Sequence, residues 1–201
     1  MNLRRGGLQE GHANHLRHQR RHDPARSEDG IRPTTDRTRS AVFSILGSRV
    51  RDARVADLFA GSGAYGLECL SRGAAQCVFV DSEKAAIQII DANLLKARFA
   101  PRGETACAKM DSWWMRPHRP FDLIFADPPY QKSPDDRAWN RELLGSPQLP
   151  KLLAPEGWLI LESWSQASEP AVPSPWICQD DRTYGAARVR FFQLQTSAPH
   201  E

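Results

Sequence analysis

The stretch VADLFAGSGAYGLECLSRGA, residues 55–74, joins an apolar segment of strand length to a helix through a run of glycines. Its first five residues are apolar except for Asp57, which predicts a buried strand over 55–59. Apolar residues at helical spacing then predict a helix over 64–72. Glycines after a strand let the backbone turn tightly and approach a ligand, and the following helix presents its positive end. The stretch therefore predicts a strand, loop and helix unit that binds a ligand.

The glycine pattern alone is also found in dinucleotide-binding enzymes. Here it is preceded by an acid and a phenylalanine, and the resulting D-x-F-x-G-x-G form is typical of enzymes that bind S-adenosylmethionine (AdoMet). AdoMet has no pyrophosphate, so an acid beside the loop can meet its ammonium group without repelling phosphates. We therefore predict a cofactor site at Asp57, Phe59, Gly61 and Gly63.

Acids also follow the next two predicted strands. Asp81 ends an apolar strand about 20 residues after the glycines, where an acid can accept hydrogen bonds from ribose hydroxyls. The same residue can instead cap the helix predicted over 83–97. Asp111 and Ser112 follow a weaker strand and can face the adenine amine of AdoMet, although a surface turn is the alternative.

A second motif lies at FDLIFADPPY, residues 121–130, where a buried strand is stopped by two prolines. An aromatic ring beside a rigid Pro-Pro pair can stack on a planar base, while the acid and the freed carbonyls accept hydrogen bonds from an exocyclic amine. This pattern is typical of enzymes that methylate nucleobase amino groups, although Asp-Pro-Pro also ends strands in ordinary turns. The predicted catalytic residues are Asp127, Pro128, Pro129 and Tyr130.

The order of elements predicts a doubly wound α/β fold with a mostly parallel sheet and helices on both faces. The alternating tail predicts one antiparallel edge strand. Ligands in such sheets bind beyond the carboxyl ends of the strands, where the four acids converge. The predicted strands cover 55–59, 77–81, 105–110, 121–126, 157–162 and 188–194, and the predicted helices cover 64–72, 83–97 and 139–153.

Composition favours one globular enzyme domain: the chain has 201 residues, 40% of them hydrophobic. It contains no apolar run of membrane-spanning length, and its histidines and cysteines lack the spacing of metal ligands. We expect the four scattered cysteines to be reduced, buried thiols in a cytoplasmic protein, and no metal. The net charge of +3 is modest for an RNA-binding protein, so clustered basic residues matter more than the sum.

Taken together, the motifs resemble the RsmD-type 16S ribosomal RNA guanine-N2 methyltransferases over about residues 31–194. The resemblance implies a seven-stranded class I AdoMet fold that ends in a hairpin around Tyr184-Gly185. It also implies a 16S rRNA or assembling small-subunit substrate. We expect a monomer, although the sequence leaves the oligomeric state open. The segments that carry it are Arg32–Arg39, Asp57–Ala64, Gly66–Glu68 with Ser71–Ala74, Asp127–Tyr130 and Tyr184–Gly185.

The same resemblance places the start of the helix near residues 34–46 over the cofactor and substrate pocket. Thr34 would then contact AdoMet, although Thr34 or Thr35 can simply cap that helix. Arg37 and Arg39 would reach RNA phosphates or remain solvated charges. The predicted RNA contacts are Arg32, Arg37, Arg39, Lys132 and the Tyr130 ring.

The first 30 residues depart from the family, whose members usually begin with a short basic β-hairpin. Here the segment holds six arginines and four histidines but few apolar residues, so it cannot bury enough surface to fold alone. We interpret it as a mobile arm that touches RNA or as the product of a misassigned start codon. The predicted organisation is therefore an arm over 1–30, a methyltransferase domain over 31–195 and a tail over 196–201.

Three functions remain open from the sequence: an rRNA guanine-N2 methyltransferase, a DNA adenine-N6 methyltransferase and a non-catalytic RNA-binding protein on the same fold. The DNA enzymes share Asp-Pro-Pro-Tyr but normally carry a separate target-recognition domain, and no segment here has domain length. The intact cofactor and catalytic motifs argue against a binding-only role. The first function is the favoured hypothesis.

Overall fold

A computed structural model of the protein describes residues 33–131, 136–167 and 171–195, with side chains from residue 36. The predicted arm, residues 1–30, and the predicted tail, residues 196–201, lie outside the described residues, so the predicted division of the chain stays a prediction. The elements are α1 Pro33–Leu46, a 3₁₀ turn Gly47–Val50, β1 Arg54–Leu58, α2 Ala64–Ser71, β2 Gln76–Asp81, α3 Lys84–Lys96, β3 Gly103–Cys107, α4 Met110–Trp113, β4 Phe121–Ala126, α5 Trp139–Gly145, α6 Leu149–Leu152, β5 Leu153–Trp164, β6 Trp176–Tyr184 and β7 Ala187–Leu194.

The described strands form one seven-stranded sheet in the order β3-β2-β1-β4-β5-β7-β6. The first five strands of that order are mutually parallel, while β7 runs antiparallel to both β5 and β6. The predicted doubly wound, mostly parallel α/β fold with an antiparallel C-terminal hairpin is therefore confirmed. The strand order reverses direction between β1 and β4, and this switch point is where such sheets place their ligands.

Alternate residues of each central strand pack into different layers of core, as the two-residue period of a strand requires. On one face, Val55 and Phe79 join the apolar sides of α1, α2 and α3. On the other face, Ala56 and Val80 join those of α4, α5 and α6. Burial of β1 and β4 on both sides explains their nearly continuous apolar runs.

Three predicted elements differ from the structure. The helix predicted over 139–153 is two short helices, because Pro147 lacks a backbone donor and Ser146 before it adopts an extended conformation. The strand predicted over 105–110 ends at Cys107, and Met110 begins α4 with its side chain in the core. β5 begins at Leu153, with a register shift opposite Phe121–Leu123. The prediction of one helix over 139–153 and the prediction of a strand that continues to residue 110 are therefore wrong.

β6 had no signal in the hydrophobic pattern, because most of its side chains are exposed. Two of the cysteines expected to be buried, Cys107 and Cys178, are exposed, while Cys69 and Cys77 are buried and all four are unpaired. Within the described ranges, no helix has the length and apolar character needed to cross a membrane.

Gly66 is fixed by the contact between α2 and the sheet. A Cβ atom built there would lie 2.2 Å from Cε1 of Phe79 and 2.5 Å from Sγ of Cys77, both in β2. These distances are too short for any real side chain, so the helix approaches the sheet closely because this residue has no side chain. This contact sets the position of the glycine loop that precedes α2.

We predict that Gly66→Ala lowers the free energy of unfolding by about 1–3 kcal/mol, because the added methyl group overpacks the core. The loss should appear even though alanine favours a helix over glycine. Gly145→Ala is the matched control, since a Cβ atom at that helical glycine meets nothing within 4 Å. Urea unfolding of both variants measures the effect, and equal stabilities would contradict the close contact.

Candidate active site

The two predicted motifs leave the sheet side by side, because β1 and β4 are neighbouring parallel strands. Leu58 pairs with Ala126 at the carboxyl ends of these strands, and the amide of Asp127 lies 3.5 Å from the carbonyl oxygen of Leu58. The glycine loop starts at one strand and the Asp127–Tyr130 turn starts at the other. The carboxyl edge of the sheet therefore brings together the candidate cofactor and catalytic segments.

Positive backbone φ angles give the glycine loop its sharp turn. Phe59, Gly61 and Gly63 have φ values of 59°, 55° and 79°, a region that favours glycine. A Cβ atom at Gly61 would have its nearest neighbour 4.0 Å away, at the carbonyl oxygen of Phe59, so the space beside this residue is open. A ligand can therefore approach the backbone closely at Gly61.

Asp81, the last residue of β2, holds the glycine loop and the start of α3 together. One carboxylate oxygen accepts a 2.9 Å hydrogen bond from the amide of Gly61, and the other accepts a 2.8 Å bond from the amide of Glu83. Asp81 is not the N-cap of α3, as the sequence alternative had it, because Glu83 occupies that position and the Asp81 carboxylate bonds the backbone just before the helix. Each oxygen retains acceptor capacity, so ribose binding at Asp81 stays a prediction.

Asp57 lies beneath the loop rather than at its surface. Its side chain is 4% exposed, and it accepts a 2.9 Å hydrogen bond from the amide of Gly66. Burial raises the pKa of Asp57 to about 7, opposed by the Gly66 hydrogen bond and reinforced by the nearby charge of Asp81. The buried carboxyl group thus holds the loop from below, and its contact with a ligand ammonium stays a prediction.

Asp127 directly follows β4, at the same edge of the sheet as the glycine loop. Asp127 is exposed to solvent on one side. The protein that surrounds its other sides raises the pKa of the carboxyl group well above its usual range, and the charges of Glu162 and Asp57 raise it further. Burial also raises the pKa of Glu162. Three carboxyl groups thus compete for ionisation at one edge of the sheet, and a bound cation would relieve that repulsion.

Glu162, on β5, contacts the helix behind the glycine loop. It is 9% exposed and accepts a 2.8 Å hydrogen bond from the hydroxyl of Tyr65, in the first turn of α2. The Tyr65 ring in turn stacks on Phe125 of β4, with centroids 5.0 Å apart and planes 17° apart. Burial, together with the charges of Asp127 and Glu162, raises the pKa of the Tyr130 hydroxyl. Tyr65 therefore ties α2 to both β4 and β5 at the edge where the two motifs start.

A pocket opens beside Tyr130, between the Asp127–Tyr130 turn, α5 and the end of β5. Pro128, Pro129, Trp139 and Trp164 line it with the Tyr130 ring. Tyr130 and Trp164 are 38% and 41% exposed, unusually high values for such large apolar rings. The pocket therefore offers several flat aromatic surfaces to a planar ligand.

The prediction that Asp111 follows the end of a strand is wrong, because this residue lies in α4. Its carboxylate is paired with an arginine. Arg137 donates hydrogen bonds of 2.7 and 2.6 Å to its two oxygens and another of 2.6 Å to Glu142. These bonds lower the pKa of Asp111. The same guanidinium lies 3.7 Å from the centroid of the Trp139 ring. Adenine recognition by Asp111 stays a prediction, and it would have to share or exchange this partner.

The remaining predicted residues divide into described and undescribed ones. Ser112 is exposed and its hydroxyl donates to the carbonyl oxygen of Lys109 at 2.9 Å. Arg37 is exposed on α1, while Arg39 forms a 2.6 Å ion pair with Asp36 on the same helix. Thr34 lies in the first turn of α1, but its side chain is outside the described residues, as are Arg32 and Lys132. Among the described side chains, no group of three or more potential ligands is placed to hold a metal ion.

Comparison with known proteins places the chain in a family. Residues 17–193 match the family model described as "Conserved hypothetical protein 95". Ribosomal RNA small subunit methyltransferase D of Escherichia coli is 31% identical over 178 residues, which cover 86% of this chain and 84% of that protein. The chain belongs to the RsmD family of methyltransferases.

Solved structures agree with the RsmD assignment. The Escherichia coli protein yhhF, a methyltransferase candidate, superposes with a TM-score of 0.69 at 31% identity, covering 84% of this chain and 90% of that one. A more distant methyltransferase candidate, solved as a complex with SAH (S-adenosylhomocysteine), has a TM-score of 0.63 at 14% identity. It covers 82% of this chain and 50% of its own, and its likeness shows the fold alone.

Sequence reasoning missed several residues at this RsmD site. Glu162 was detectable, since it is an acid near the end of a predicted strand, the same signal that singled out Asp57 and Asp81. Tyr65 carried no signal, because a tyrosine in the first turn of a helix is usually core. Trp139 and Trp164 come from distant segments that only the fold brings together.

We predict that Asp57→Asn flattens the pH dependence of stability. The folded Asp57 carboxyl group holds its proton up to about pH 7, whereas the unfolded chain releases it near pH 4. The stability that the neutral form provides is therefore lost as the pH rises from about 4 through 7, by on the order of 4 kcal/mol. Asparagine never ionises and keeps an oxygen for the amide of Gly66.

Urea unfolding at pH 5 and pH 8 measures this effect. Relative to the parent protein, Asp57→Asn should gain clearly more stability at pH 8 than at pH 5. Glu156→Gln, which removes an exposed acid, is the control. Parallel pH profiles for Asp57→Asn and the parent protein would contradict the raised pKa.

Proposed function

We propose that this protein is an AdoMet-dependent methyltransferase that modifies the exocyclic N2 amine of a guanine in small-subunit ribosomal RNA. The observation that carries the proposal is the meeting of the glycine loop and the Asp127–Tyr130 turn at one edge of the sheet. The substrate class rests on the RsmD relatives, which are named as small-subunit rRNA methyltransferases.

The residues around the glycine loop fit AdoMet in space and in charge. Space is open beside Gly61, and Asp81 ties this loop to α3 while retaining acceptor capacity for a ribose. The raised pKa values of Asp127 and Asp57 mark a site that favours a cation. AdoMet carries a positive ammonium and a positive sulfonium, and when bound it supplies a methyl group to a nucleophilic nitrogen.

The catalytic turn fits a nucleobase with an exocyclic amine. We assign the pocket beside Tyr130 to the target base, which must leave its stack to reach an enzyme site. Tyr130 would stack on the base, and Trp139 and Trp164 would line the apolar sides of the pocket around it. Stacking on an aromatic ring contributes about 1–3 kcal/mol per base.

Asp127 and the carbonyl of Pro128 would then orient the amine. The lone pair of this nitrogen is delocalised into the ring, which makes it a poor nucleophile. Hydrogen bonds from its two protons to these acceptors draw it towards tetrahedral geometry, so the rate enhancement comes mainly from positioning. The proton becomes acidic only once the nitrogen carries the methyl group, and it can then pass to Asp127 or to water without a strong base.

The function is tested by offering labelled AdoMet to small-subunit particles, 16S rRNA and DNA, followed by nucleoside analysis. We expect labelled N2-methylguanosine from the RNA or the particles. Labelled N6-methyladenine in DNA would favour the DNA enzyme instead. Tight AdoMet binding without transfer to any of these substrates would overturn the assigned reaction.

We predict that Asp127→Ala lowers methyl transfer by at least about 100-fold, the loss typical when one group that stabilises a transition state is removed. Affinity for AdoMet should fall much less than transfer does, because the glycine loop and Asp81 remain intact and only one acid of the cluster is lost. Glu156→Ala, at an exposed acid, is the control. Equal losses of transfer and of AdoMet affinity would contradict the division between the two motifs.

A further inference from the structure

Trp139, the first residue of α5, contacts the glycine loop and also lines the pocket beside Tyr130. Its ring packs edge-to-face against the ring of Phe59, with centroids 4.8 Å apart and planes 68° apart. Phe59 lies in the glycine loop with a φ of 59°, which is unfavourable for a bulky side chain. The ring contact therefore helps to hold this part of the loop. One tryptophan is thus a wall common to the candidate cofactor loop and the candidate base pocket.

Arg137 covers the ring of Trp139 and is itself held by two acids. Its guanidinium carbon lies 3.7 Å from the centroid of the ring. Nη1 and Nη2 donate hydrogen bonds of 2.7 and 2.6 Å to the two oxygens of Asp111 in α4, and Nε donates one of 2.6 Å to Glu142 in α5. Exposed ion pairs contribute little to stability, but a planar guanidinium bound at three donors has a fixed orientation. The ring of Trp139 is therefore packed against a side chain that cannot easily turn.

We propose that Arg137, held by Asp111, is a positioning residue that fixes the Trp139 ring as the wall shared by the cofactor loop and the base pocket. The inference rests on the proposed function, because it names how the same site keeps its two ligands in register. A misplacement of about 1 Å can cost about 100-fold in rate, so a wall between the reacting groups has to be rigid. Asp111 gains a role here that requires no contact with a ligand.

The role of Arg137 is tested by Arg137→Lys, which keeps the positive charge but loses the planar stacking surface and the paired hydrogen bonds. We expect kcat/KM for RNA to fall by about 10- to 100-fold. Arg72→Lys is the matched control, because Arg72 also donates to a carboxylate, Glu68 at 2.7 Å, and lies over a ring, Phe43 at 4.8 Å, at the end of α2. The control should leave kcat/KM unchanged. An unchanged kcat/KM in Arg137→Lys would overturn the proposal.

The dependence on the ring is tested by a double-mutant cycle with Trp139→Leu. If Arg137 acts through Trp139, the combined variant should lose no more activity than the worse single variant. Losses that multiply would mean that Arg137 acts on the RNA directly, as a phosphate contact does, and would overturn the proposal. Asp111→Ala provides a second route if Trp139→Leu fails to fold. It changes an exposed side chain, and its loss should likewise not multiply with that of Arg137→Lys.

A readout without substrate separates this inference from the proposed function. The chain has six tryptophans, and in protein labelled with ¹⁵N the indole N–H signals of Trp139 and Trp158 can be assigned from Trp139→Leu and Trp158→Phe. Asp111→Ala should move the Trp139 signal, because the loss of two hydrogen bonds frees the guanidinium that covers the ring. It should leave the signal of Trp158, on β5, in place. In the Arg137→Lys background, Asp111→Ala should no longer move the Trp139 signal.

The outcomes of this experiment distinguish the two proposals. A Trp139 signal that does not move in Asp111→Ala would overturn the positioning role even if the protein methylates RNA. A signal that moves equally in the Arg137→Lys background would also overturn it, because the effect would then not pass through Arg137. A signal that moves only when Arg137 is present, in a protein that does not methylate RNA, would overturn the proposed function alone.

Discussion

The parallel pairing of β1 with β4 determines where every other feature of the site lies. The pairing of Leu58 with Ala126 makes the two strands end at one level, so the glycine loop and the Asp127–Tyr130 turn start side by side. The close contact of Gly66 with β2 then sets α2 against the sheet, which brings Tyr65 towards Glu162. A shift of one residue between β1 and β4 would move the side chains of one strand into the wrong core layer.

This arrangement brings three acids together near the carboxyl edge of the sheet. The surrounding protein raises the pKa of Asp57, Asp127 and Glu162, and the charges of neighbouring acids add to the rise at Asp57 and Asp127. Strained or repulsive groups that persist in a fold are commonly part of a functional site. The repulsion makes physical sense if the site is completed by a positively charged cofactor, which would stabilise the ionised carboxylates.

Much of the architecture could be predicted because it depends on local pattern. β1, β2, α3 and β4 are buried or amphipathic segments with clear periods, and the predicted boundaries fall within one or two residues of the observed ones. The helix predicted over 139–153 was wrong because apolar spacing outweighed the break at Ser146-Pro147. β6 carries mostly exposed side chains, so its place in the sheet depends on pairing with β7 and had no signal of its own.

Only those parts of the site that lie within one segment of the chain could be predicted from the sequence. The glycine loop and the Asp127–Tyr130 turn are local motifs, and their neighbourhood followed from the rule that ligands bind at the carboxyl edge. The hydrogen bond from Tyr65 to Glu162 joins two distant segments, and its members are ordinary core or strand residues when each is considered alone. The pairing of Asp111 with Arg137 is of the same kind, since 26 residues separate its partners.

The central claim is that Asp57, Asp127 and Glu162 favour a positively charged cofactor. Its most direct test compares the proton release that accompanies binding of AdoMet and of S-adenosylhomocysteine. The two ligands share their ammonium, ribose and adenine, but only AdoMet carries a positive sulfur. Calorimetry near pH 7 in two buffers of different ionisation enthalpy measures the protons released by each. If the acid cluster faces the sulfonium, AdoMet binding releases more protons, because the added positive charge favours the ionised carboxylates. Equal proton release by both ligands would contradict the account.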